Sequence, residues 1–395
     1  MMDMSAKGIF YMARNMLRYY LDLPARIKGL PDNRLTMGRS NVANCRKAML
    51  DRDIPLWLNT EAKSLIEENG RVVGLEVDQQ GRTLRLKAEK GVLLAAGGMG
   101  QNTAMRQQHG QLPTGQGWSS ESPGNVGDGI RMGQQVGAGL AFMGSAWWTP
   151  SVKLPDGSPQ ALISGKSMPG SIFVDQLGQR FCNEAAPYED VTKAHWARLA
   201  SGAPCIPAFM VLDARFRHNY MTGSLPPGKI QPDQLIPDDY KASGFLKKAE
   251  SIDALAELIN IDPAALHATI ERHNDFARSG VDLDFGRGDS ANDRYYSDAK
   301  IGPNPNLAPI VEAPFYALEI YPGDLGTKGG LKCDEYARVL TDDDQVIAGL
   351  YATGNCAGSV MGDSYPGAGS TIGPSMTFGY VAARHAMGVD PGDSV

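Results

Sequence analysis

Near the end of the chain, the stretch SYPGAGSTIGPSMTFGY (364–380) joins a glycine-rich turn to residues that could do chemistry. It predicts a helix that begins at about Ser370 or Thr371, and the first turn of a helix has unpaired N–H groups and a partial positive charge. Such an end stabilises a negative centre, for instance an enolate oxygen or the N1–C2=O edge of a reduced flavin. Gly369 has no Cβ to obstruct that approach, and the phenol of Tyr365 could point at the same oxygen. A tyrosine packed in a tight turn would look the same in the sequence, so both interpretations stay open here.

Two other junctions each join a strand pattern to glycine. GVLLAAGGMG ends its apolar run at Ala96, Gly97 and Gly98, and GLYATGN ends at Gly354 and Asn355. In α/β proteins the carboxyl ends of such strands meet at the edge of the sheet where ligands bind. Either junction alone is compatible with an ordinary strand exit. Both together, with the helix that follows Gly369, favour a bound cofactor, and the Asn355 amide could bind a sugar or ribitol hydroxyl.

The elements around these junctions predict an α/β fold. Before the first junction, the patterns predict a strand in PLWLNT, a strand and turn in EAKSLIEENG, and two antiparallel strands in RVVGLEVD and RTLRLKA. The turn NVGDGI leads into a helix with Asp128 in its first turn, where a carboxylate suits the helix dipole. After Pro150 the composition shifts, and two helices separated at Pro263 and the strand FYALEIYPG follow. We therefore expect residues 150–326 to form an inserted domain, and residues 1–149 and 327–395 to fold together.

Composition excludes several classes of function. The 395 residues carry a net charge of −6, whereas nucleic-acid binding favours a concentrated basic surface. Five cysteines and six histidines lack metal-type spacing, so we expect reduced thiols, no metal site and a cytoplasmic protein. The sequence contains no GxSxG, HExxH or P-loop motif. No apolar run reaches the roughly 20 residues that a membrane-spanning helix needs.

An apolar stripe near the N-terminus predicts a helix. Ile9, Met12, Met16 and Tyr19 or Tyr20 recur at helical spacing. Most stripes of this kind pack against a core, and an amphipathic membrane anchor is the alternative.

Several motifs together resemble one known family. GVLLAAGG, NVGDGI, GQRFCNE, GDLGTKGGL, GLYATGN and SYPGAGSTIGPSMTFGY resemble the flavoproteins of the fumarate reductase and succinate dehydrogenase superfamily. Within that superfamily, APFYALEIYPGDLGTKGGL and the YPGAG turn are most similar to 3-ketosteroid Δ1-dehydrogenases. The resemblance runs from LRYYLDLPARI onward. It implies an incomplete Rossmann-like FAD-binding domain of the α/β class, with an inserted α+β catalytic or capping domain.

The resemblance also implies a reaction and its residues. The family removes two hydrogens from adjacent carbons beside a ring ketone. One tyrosine takes a proton from the carbon next to the carbonyl, and the neighbouring carbon gives a hydride to N5 of FAD. The base tyrosine matches Tyr188 in NEAAPYED, and the groups that stabilise the enolate match Tyr365 and Gly369. The implied cofactor-binding residues are Ala96, Gly97, Gly98, Asp128, Gly354, Asn355, Ser370, Thr371 and Ile372.

Further expectations concern substrate, partners and alternatives. The substrate would be a steroid or another bulky cyclic ketone, and an electron acceptor would complete the reaction. Arg180 occupies the GxRF position and is interpreted as structural, because fumarate reductases take their catalytic arginine from a later loop. The alternatives are a flavin-dependent reductase of another activated alkene and a non-catalytic fragment or subunit that retains the fold.

The sequence departs from the family at one motif. Flavoproteins of this family open with a strand, GxGxxG and an acidic residue that holds the ADP ribose. No GxGxxG occurs in these 395 residues, and the family's helper tyrosine falls outside the matched motifs. We therefore expect a fragment, a truncated gene model or one part of a split enzyme whose FAD-binding unit is separate. On its own the chain would bind FAD weakly.

Overall fold

A computed structural model describes residues 6–29, 34–109 and 117–389. Its helices are α1 Ala6–Leu21, α2 Leu23–Ile27, α3 Met37–Leu50, α4 Thr103–His109, α5 Asp128–Gln135, α6 Tyr188–Ala200, α7 Ala214–Asn219, α8 Asp238–Ala242, α9 Ile252–Leu258, α10 Pro263–Ser279, α11 Ala291–Tyr295 and α12 Ile372–Ala386. Its strands are β1 Thr60–Glu68, β2 Arg71–Gln79, β3 Arg82–Lys87, β4 Val92–Leu94, β5 Leu140–Ala141, β6 Ala146–Lys153, β7 Pro159–Ala161, β8 Ser171–Val174, β9 Ala208–Leu212, β10 Lys247–Ala249, β11 Phe315–Thr327, β12 Gly330–Leu331, β13 Arg338–Leu340 and β14 Val346–Ala352. This mixture of helices and sheets confirms the predicted fold class.

The first sheet combines strands from both ends of the chain. Its order is β1-β2-β14-β13, with β3 paired to β2 and β4 paired to β14. The pairing of β14 with β4 is parallel, as is its pairing with β2. Buried apolar side chains of this sheet, of α5 and of β12 form one core. Strands that lie more than 200 residues apart in the sequence therefore build one layer.

The second sheet is built from the middle of the chain. Its order is β7-β6-β11-β9-β8, with β10 on β11, and its pairings are antiparallel. All residues of β6 except the last are buried, so both faces of the strand are covered. Because neighbouring side chains of a strand point to opposite faces, Trp147 and Trp148 pack on opposite faces of the sheet. Trp148 packs edge-on against Trp196 of α6, with ring centres 5.7 Å apart.

Helix α10 shows how local sequence sets the ends of an element. The Asp262 side chain accepts a hydrogen bond from Ala264 N at 3.0 Å, and Pro263 occupies the first turn. Proline suits this place because the first N–H groups of a helix have no partner inside it. Gly280 ends the helix with φ +80°, a left-handed conformation that glycine adopts at low cost. The predicted pair of helices around Pro263 is confirmed.

One predicted strand is wrong. Within PLWLNT, only Thr60 has strand conformation, and it is the first residue of β1. Asn59 has φ +51°, which breaks the extended chain before β1 begins. The strands predicted in the next three segments are confirmed as β1, β2 and β3.

The chain divides into two compact units, Met1–Glu61 with Asp78–Arg82 and Ala62–Val77 with Thr83–Val395. In the first unit the predicted N-terminal helix is confirmed as α1, although none of its residues is buried. None of the described helices is both long and apolar enough to cross a membrane. Domain boundaries near residues 150 and 326 stay a prediction.

Candidate active site

The two strand-to-glycine junctions lie side by side in the second unit. Leu350 and Ala352 of β14 pair in parallel with Val92 and Leu94 of β4. Directly after the strands, Thr353 N donates to Leu94 O at 3.0 Å. Parallel neighbours end at the same edge of a sheet, so both junctions leave the sheet at one place.

The first turn of α5 lies against both junctions. A Cβ on Gly129 would come within 2.5 Å of Cys356 Sγ and 3.3 Å of Ala96 Cβ, so only glycine permits this approach. The predicted residue Asp128 stands at this helix start, but its carboxylate pairs with Arg131 and is 48% exposed. The structure thus brings Ala96 to the α5 start and leaves the Asp128 side chain in contact with its own helix.

A cavity of about 630 Å³ opens beside the second junction. Its lining includes four of the predicted cofactor residues, Gly354, Asn355, Ser370 and Thr371, together with Trp147. Helix α12 begins at the edge of this cavity, and the Thr371 side chain makes no capping hydrogen bond to it. The first turn of the helix, with its partial positive charge, therefore borders the cavity. Ile372, also predicted, is 41% exposed and lies outside the lining.

Gly97 and Gly98 meet protein atoms rather than open space. A Cβ on Gly98 would lie 2.3 Å from Thr327 Oγ1 and 2.8 Å from Glu121 Oε1. Gly97 has φ +81°, and a Cβ there would lie 2.4 Å from Asn125 Oδ1. Close packing at the first junction therefore leaves no room for a side chain at either position.

A buried hydrogen-bond chain connects this packing to the cavity. Glu121 is 7% exposed and accepts from Gly100 N at 2.8 Å, Asn125 Nδ2 at 2.8 Å and Asn355 Nδ2 at 3.4 Å. The other end of the Asn355 amide accepts from Trp147 Nε1 at 3.1 Å. Burial raises the pKa of the Glu121 carboxyl above its ordinary value. Glu121 was not predicted from the sequence, because 234 residues separate it from Asn355.

The two predicted tyrosines are in contact. Tyr188 is the first residue of α6, and its ring lies edge-on to that of Tyr365, with ring centres 5.1 Å apart. Burial and a hydrogen bond with Tyr188 raise the pKa of the Tyr365 phenol above its ordinary value. Tyr365 also contacts Trp147, with ring centres 4.8 Å apart. Trp147 lines the cavity, and Tyr365 lines a neighbouring cleft of about 590 Å³. The contact between the two rings therefore lies between the cavity and the cleft.

Gly369 is placed to donate its N–H. It has φ +99° and is exposed, and a Cβ there would meet nothing within 4 Å. Its carbonyl accepts from Gly373 N at 2.8 Å. Its N–H makes no hydrogen bond to another residue in the described part of the chain. This donor is therefore available to a ligand.

Arg180 lies in a buried ion-pair cluster. Its guanidinium lies 2.9 Å from carboxylate oxygens of both Glu184 and Asp282, and its side chain is 4% exposed. Glu184 also pairs with Arg287 at 2.9 Å. Because all of these charges are paired and buried, the structural interpretation of Arg180 is supported.

The cavity suits the ring end of a flavin. Trp147, Phe142 and Phe378 supply aromatic surface, and Asn355 and Ser370 supply polar atoms, which is the usual composition of a cofactor pocket. The open space over Gly369 fits the same purpose. Among the described residues, no group of histidine, cysteine and carboxylate side chains could hold a metal ion.

Comparison with known proteins agrees with these features. Residues 23–372 match the family model described as FAD binding domain. The 3-oxosteroid 1-dehydrogenase of Mycolicibacterium smegmatis is 43% identical over 89% of this chain and 62% of its own length. The 4-oxocyclohexanecarboxylate 2-dehydrogenase of Sinomonas cyclohexanicum is 36% identical over 94% of this chain and 64% of its own length. The chain thus spans less than two thirds of the length of these relatives.

A solved structure has the same fold. The 3-ketosteroid Δ1-dehydrogenase of Sterolibacterium denitrificans, in complex with 1,4-androstadiene-3,17-dione, superposes with a TM-score of 0.92 at 42% identity. The match covers 97% of this chain and 69% of that protein. The resemblance to FAD-dependent flavoproteins, predicted from the motifs, is confirmed. This chain belongs to the FAD binding domain family.

Proposed function

We propose that this chain is the catalytic part of an FAD-dependent dehydrogenase that introduces a double bond beside a ring ketone, with 3-ketosteroids as the substrate class. The observation that carries the proposal is the contact between Tyr188 and Tyr365 next to a cavity suited to a flavin. The names of the similar proteins support a cyclic ketone as substrate.

Tyr365 and Gly369 would hold the carbonyl oxygen of the substrate. The raised pKa of Tyr365 keeps its phenol protonated, and a protonated phenol can donate a hydrogen bond to that oxygen. The Gly369 N–H is a second donor. As a proton leaves the neighbouring carbon, negative charge develops on the oxygen, and two donors aimed at it lower the barrier.

Tyr188 would take the proton. Because a free phenol has a pKa near 10, it needs nearby groups that favour the phenolate if it is to act as a base near neutral pH. Its contact with Tyr365 supports this role, because a carbonyl held by Tyr365 would have its neighbouring carbon close to Tyr188. Bound FAD would accept the hydride from the adjacent carbon.

The remaining assignments concern the cofactor. The residues proposed to bind FAD are Ala96, Gly97, Gly98, Asp128, Gly354, Asn355, Ser370, Thr371 and Ile372. Four of these line the cavity, which supports them more strongly than the others. We also propose that the ADP half of FAD is held by a separate part, because GxGxxG is absent from the sequence.

A flavin titration tests the cofactor proposal. The purified chain is expected to bind added FAD weakly, since the sequence contains no GxGxxG helix start for the pyrophosphate. The measurement is the flavin absorbance spectrum after gel filtration with FAD. A stoichiometric yellow protein would contradict the need for a separate part.

An oxidation assay tests the reaction. The protein, loaded with FAD and joined to an ADP-binding part if it needs one, is expected to Δ1-dehydrogenate androstenedione-type steroids with an artificial electron acceptor. No steroid turnover, together with reduction of enones or fumarate, would favour the alkene reductase instead. A cytoplasmic location and the natural electron acceptor stay predictions.

Two substitutions test the residue roles. Tyr188→Phe and Tyr365→Phe should each lower kcat by roughly 10²- to 10⁴-fold while leaving the bound flavin in place. The control is Tyr295→Phe, because Tyr295 is 76% exposed on α11. Near-full activity of either site variant would remove that tyrosine from the mechanism.

A further inference from the structure

A fully buried lysine lies behind the tyrosine pair. Lys328 Nζ is 3.0 and 3.1 Å from the two carboxylate oxygens of Glu189, and the two side chains are 0% and 5% exposed. The same ammonium lies 5.1 Å from the ring centre of Trp147 and 5.9 Å from that of Tyr365. A cation at such distances from aromatic rings is attracted to their faces. Lys328 thus contacts a ring of the catalytic pair and a carboxylate at once.

Glu189 is linked to the surroundings of both tyrosines. It follows Tyr188 directly in α6. Glu189 also pairs with Lys193 at 2.8 Å. Lys193 Nζ in turn donates to the backbone oxygen of Asp363 at 2.9 Å, two residues before Tyr365. One carboxylate therefore ties the start of α6 to the loop that carries the second tyrosine.

Two lysines and three carboxylates lie around the pair. The cations are Lys328, after β11, and Lys193, on α6. The carboxylates are Glu189 and Asp190, on α6, and Asp363, in the loop. Burial lowers the pKa of Lys328 and the neighbouring carboxylate opposes that effect. Removing Glu189 leaves Lys328 without its ion-pair partner, whereas removing Lys328 leaves Glu189 paired with Lys193 alone. Such a charge acts directly on the ionisation of a phenol a few ångströms away.

We propose that the Lys328–Glu189 ion pair positions the Tyr188–Tyr365 pair and, through its two opposite charges, sets the pH above which proton abstraction becomes fast. This inference rests on the proposed function. Lys328 and Glu189 are positioning residues, because they act through the tyrosines and not on the substrate.

Opposite substitutions test the charge effect. In the FAD-loaded protein, Lys328→Met should lower kcat by at least about 30-fold, change KM by less than about threefold, and move the acidic limb of the kcat profile up by about one pH unit. Glu189→Gln should move the same limb down, because it removes the negative charge instead. The double variant should return the limb to near its original pH while kcat stays low. A purely structural role predicts lower kcat with an unmoved limb in all three variants, and that result would overturn the proposal.

A second lysine offers a control with the same kinds of partner. Lys248 pairs with Asp233 at 3.0 Å and lies 5.7 Å from the ring centre of Tyr316, away from the cavity, and its side chain is 42% exposed. Lys248→Met should leave kcat and its pH profile unchanged. If it changes them as Lys328→Met does, the effect is general and the proposal fails.

Two further measurements keep the test decisive. Lys328→Arg retains the charge, so it should keep the pH limb of the parent protein with a lower kcat; a shifted limb would contradict the proposal. Tyrosinate absorbance titration without substrate should show a signal that Tyr188→Phe and Tyr365→Phe remove, and that moves in opposite directions in Lys328→Met and Glu189→Gln. This readout does not depend on turnover. An inactive parent protein would therefore refute the proposed function, whereas an unmoved titration would refute the inference.

Discussion

Replacing Glu121 by glutamine tests the buried chain that supports the cavity. The carboxylate only accepts hydrogen bonds, and it faces three N–H donors, from Gly100, Asn125 and Asn355. A glutamine of the same shape turns one acceptor into a donor. Its NH2 group must then face at least one N–H at short distance. Rotating the Asn355 amide by 180° does not remove the conflict, because its NH2 group would then face the indole N–H of Trp147.

The expected cost follows from this conflict. A buried donor without an acceptor costs about 1–3 kcal/mol. For a chain of this length, about 2 kcal/mol corresponds to a fall in Tm of roughly 2–3 °C. A disturbed Asn355 should also weaken flavin binding, by about tenfold for each 1.4 kcal/mol lost at the cavity.

Thermal unfolding followed by near-ultraviolet circular dichroism measures the first effect, and a flavin fluorescence titration measures the second. Glu271→Gln is the control, because Glu271 is exposed on α10. A Glu121→Gln variant with unchanged Tm and unchanged flavin affinity would refute the idea that this carboxylate orients Asn355 and Trp147.

Three more predictions concern packing, pH and the buried charges. Gly98→Ala should cost about 1–3 kcal/mol and weaken flavin binding, because the new methyl group collides with Thr327 Oγ1; calorimetry and flavin titration check it. Burial lowers the pKa of His195 to about 4 and of His273 to about 3. Below pH about 6.5 the unfolded chain therefore binds more protons than the folded chain. As the pH falls, each histidine should lower the free energy of unfolding by about 1.4 kcal/mol per pH unit until its folded pKa is reached. Urea unfolding between pH 7 and 4 measures this loss. Arg180→Met should destabilise by about 3–5 kcal/mol, since it leaves two buried carboxylates without this partner; a Tm within error of the parent would contradict it.

The features that sequence reasoning predicted have local signals. A continuous apolar run followed by glycine marks the junctions after β4 and β14, and their parallel pairing follows from the α/β pattern. The start of α12 is predicted within two residues, because a glycine-rich turn cannot continue as helix. Tyr188 and Tyr365 were assigned through motifs of the family, and the structure places their rings in contact.

The features that sequence reasoning missed depend on long-range contacts. The role of Glu121 has no local signal, because its partner Asn355 lies 234 residues away. Lys328 stands in the motif GDLGTKGGL, but the sequence does not show its pairing with Glu189, which lies 139 residues away. Trp147 and Trp148 look alike in the sequence, and only the alternation of β6 assigns one to the cavity. PLWLNT has the composition of a strand, but a left-handed Asn59 interrupts it.

The parallel pairing of β4 with β14 also has a consequence for how the protein folds. Val92 pairs with Leu350, so 257 residues lie between the partners, and closing so large a loop slows folding. During synthesis, β4 emerges long before β14 and has to wait for it with its apolar edge uncovered. We expect the second sheet, which contains strands β6 to β11, to form first, because its strands come from one continuous stretch of chain. The cofactor cavity would then be completed last, when the C-terminal strand leaves the ribosome and pairs with β4.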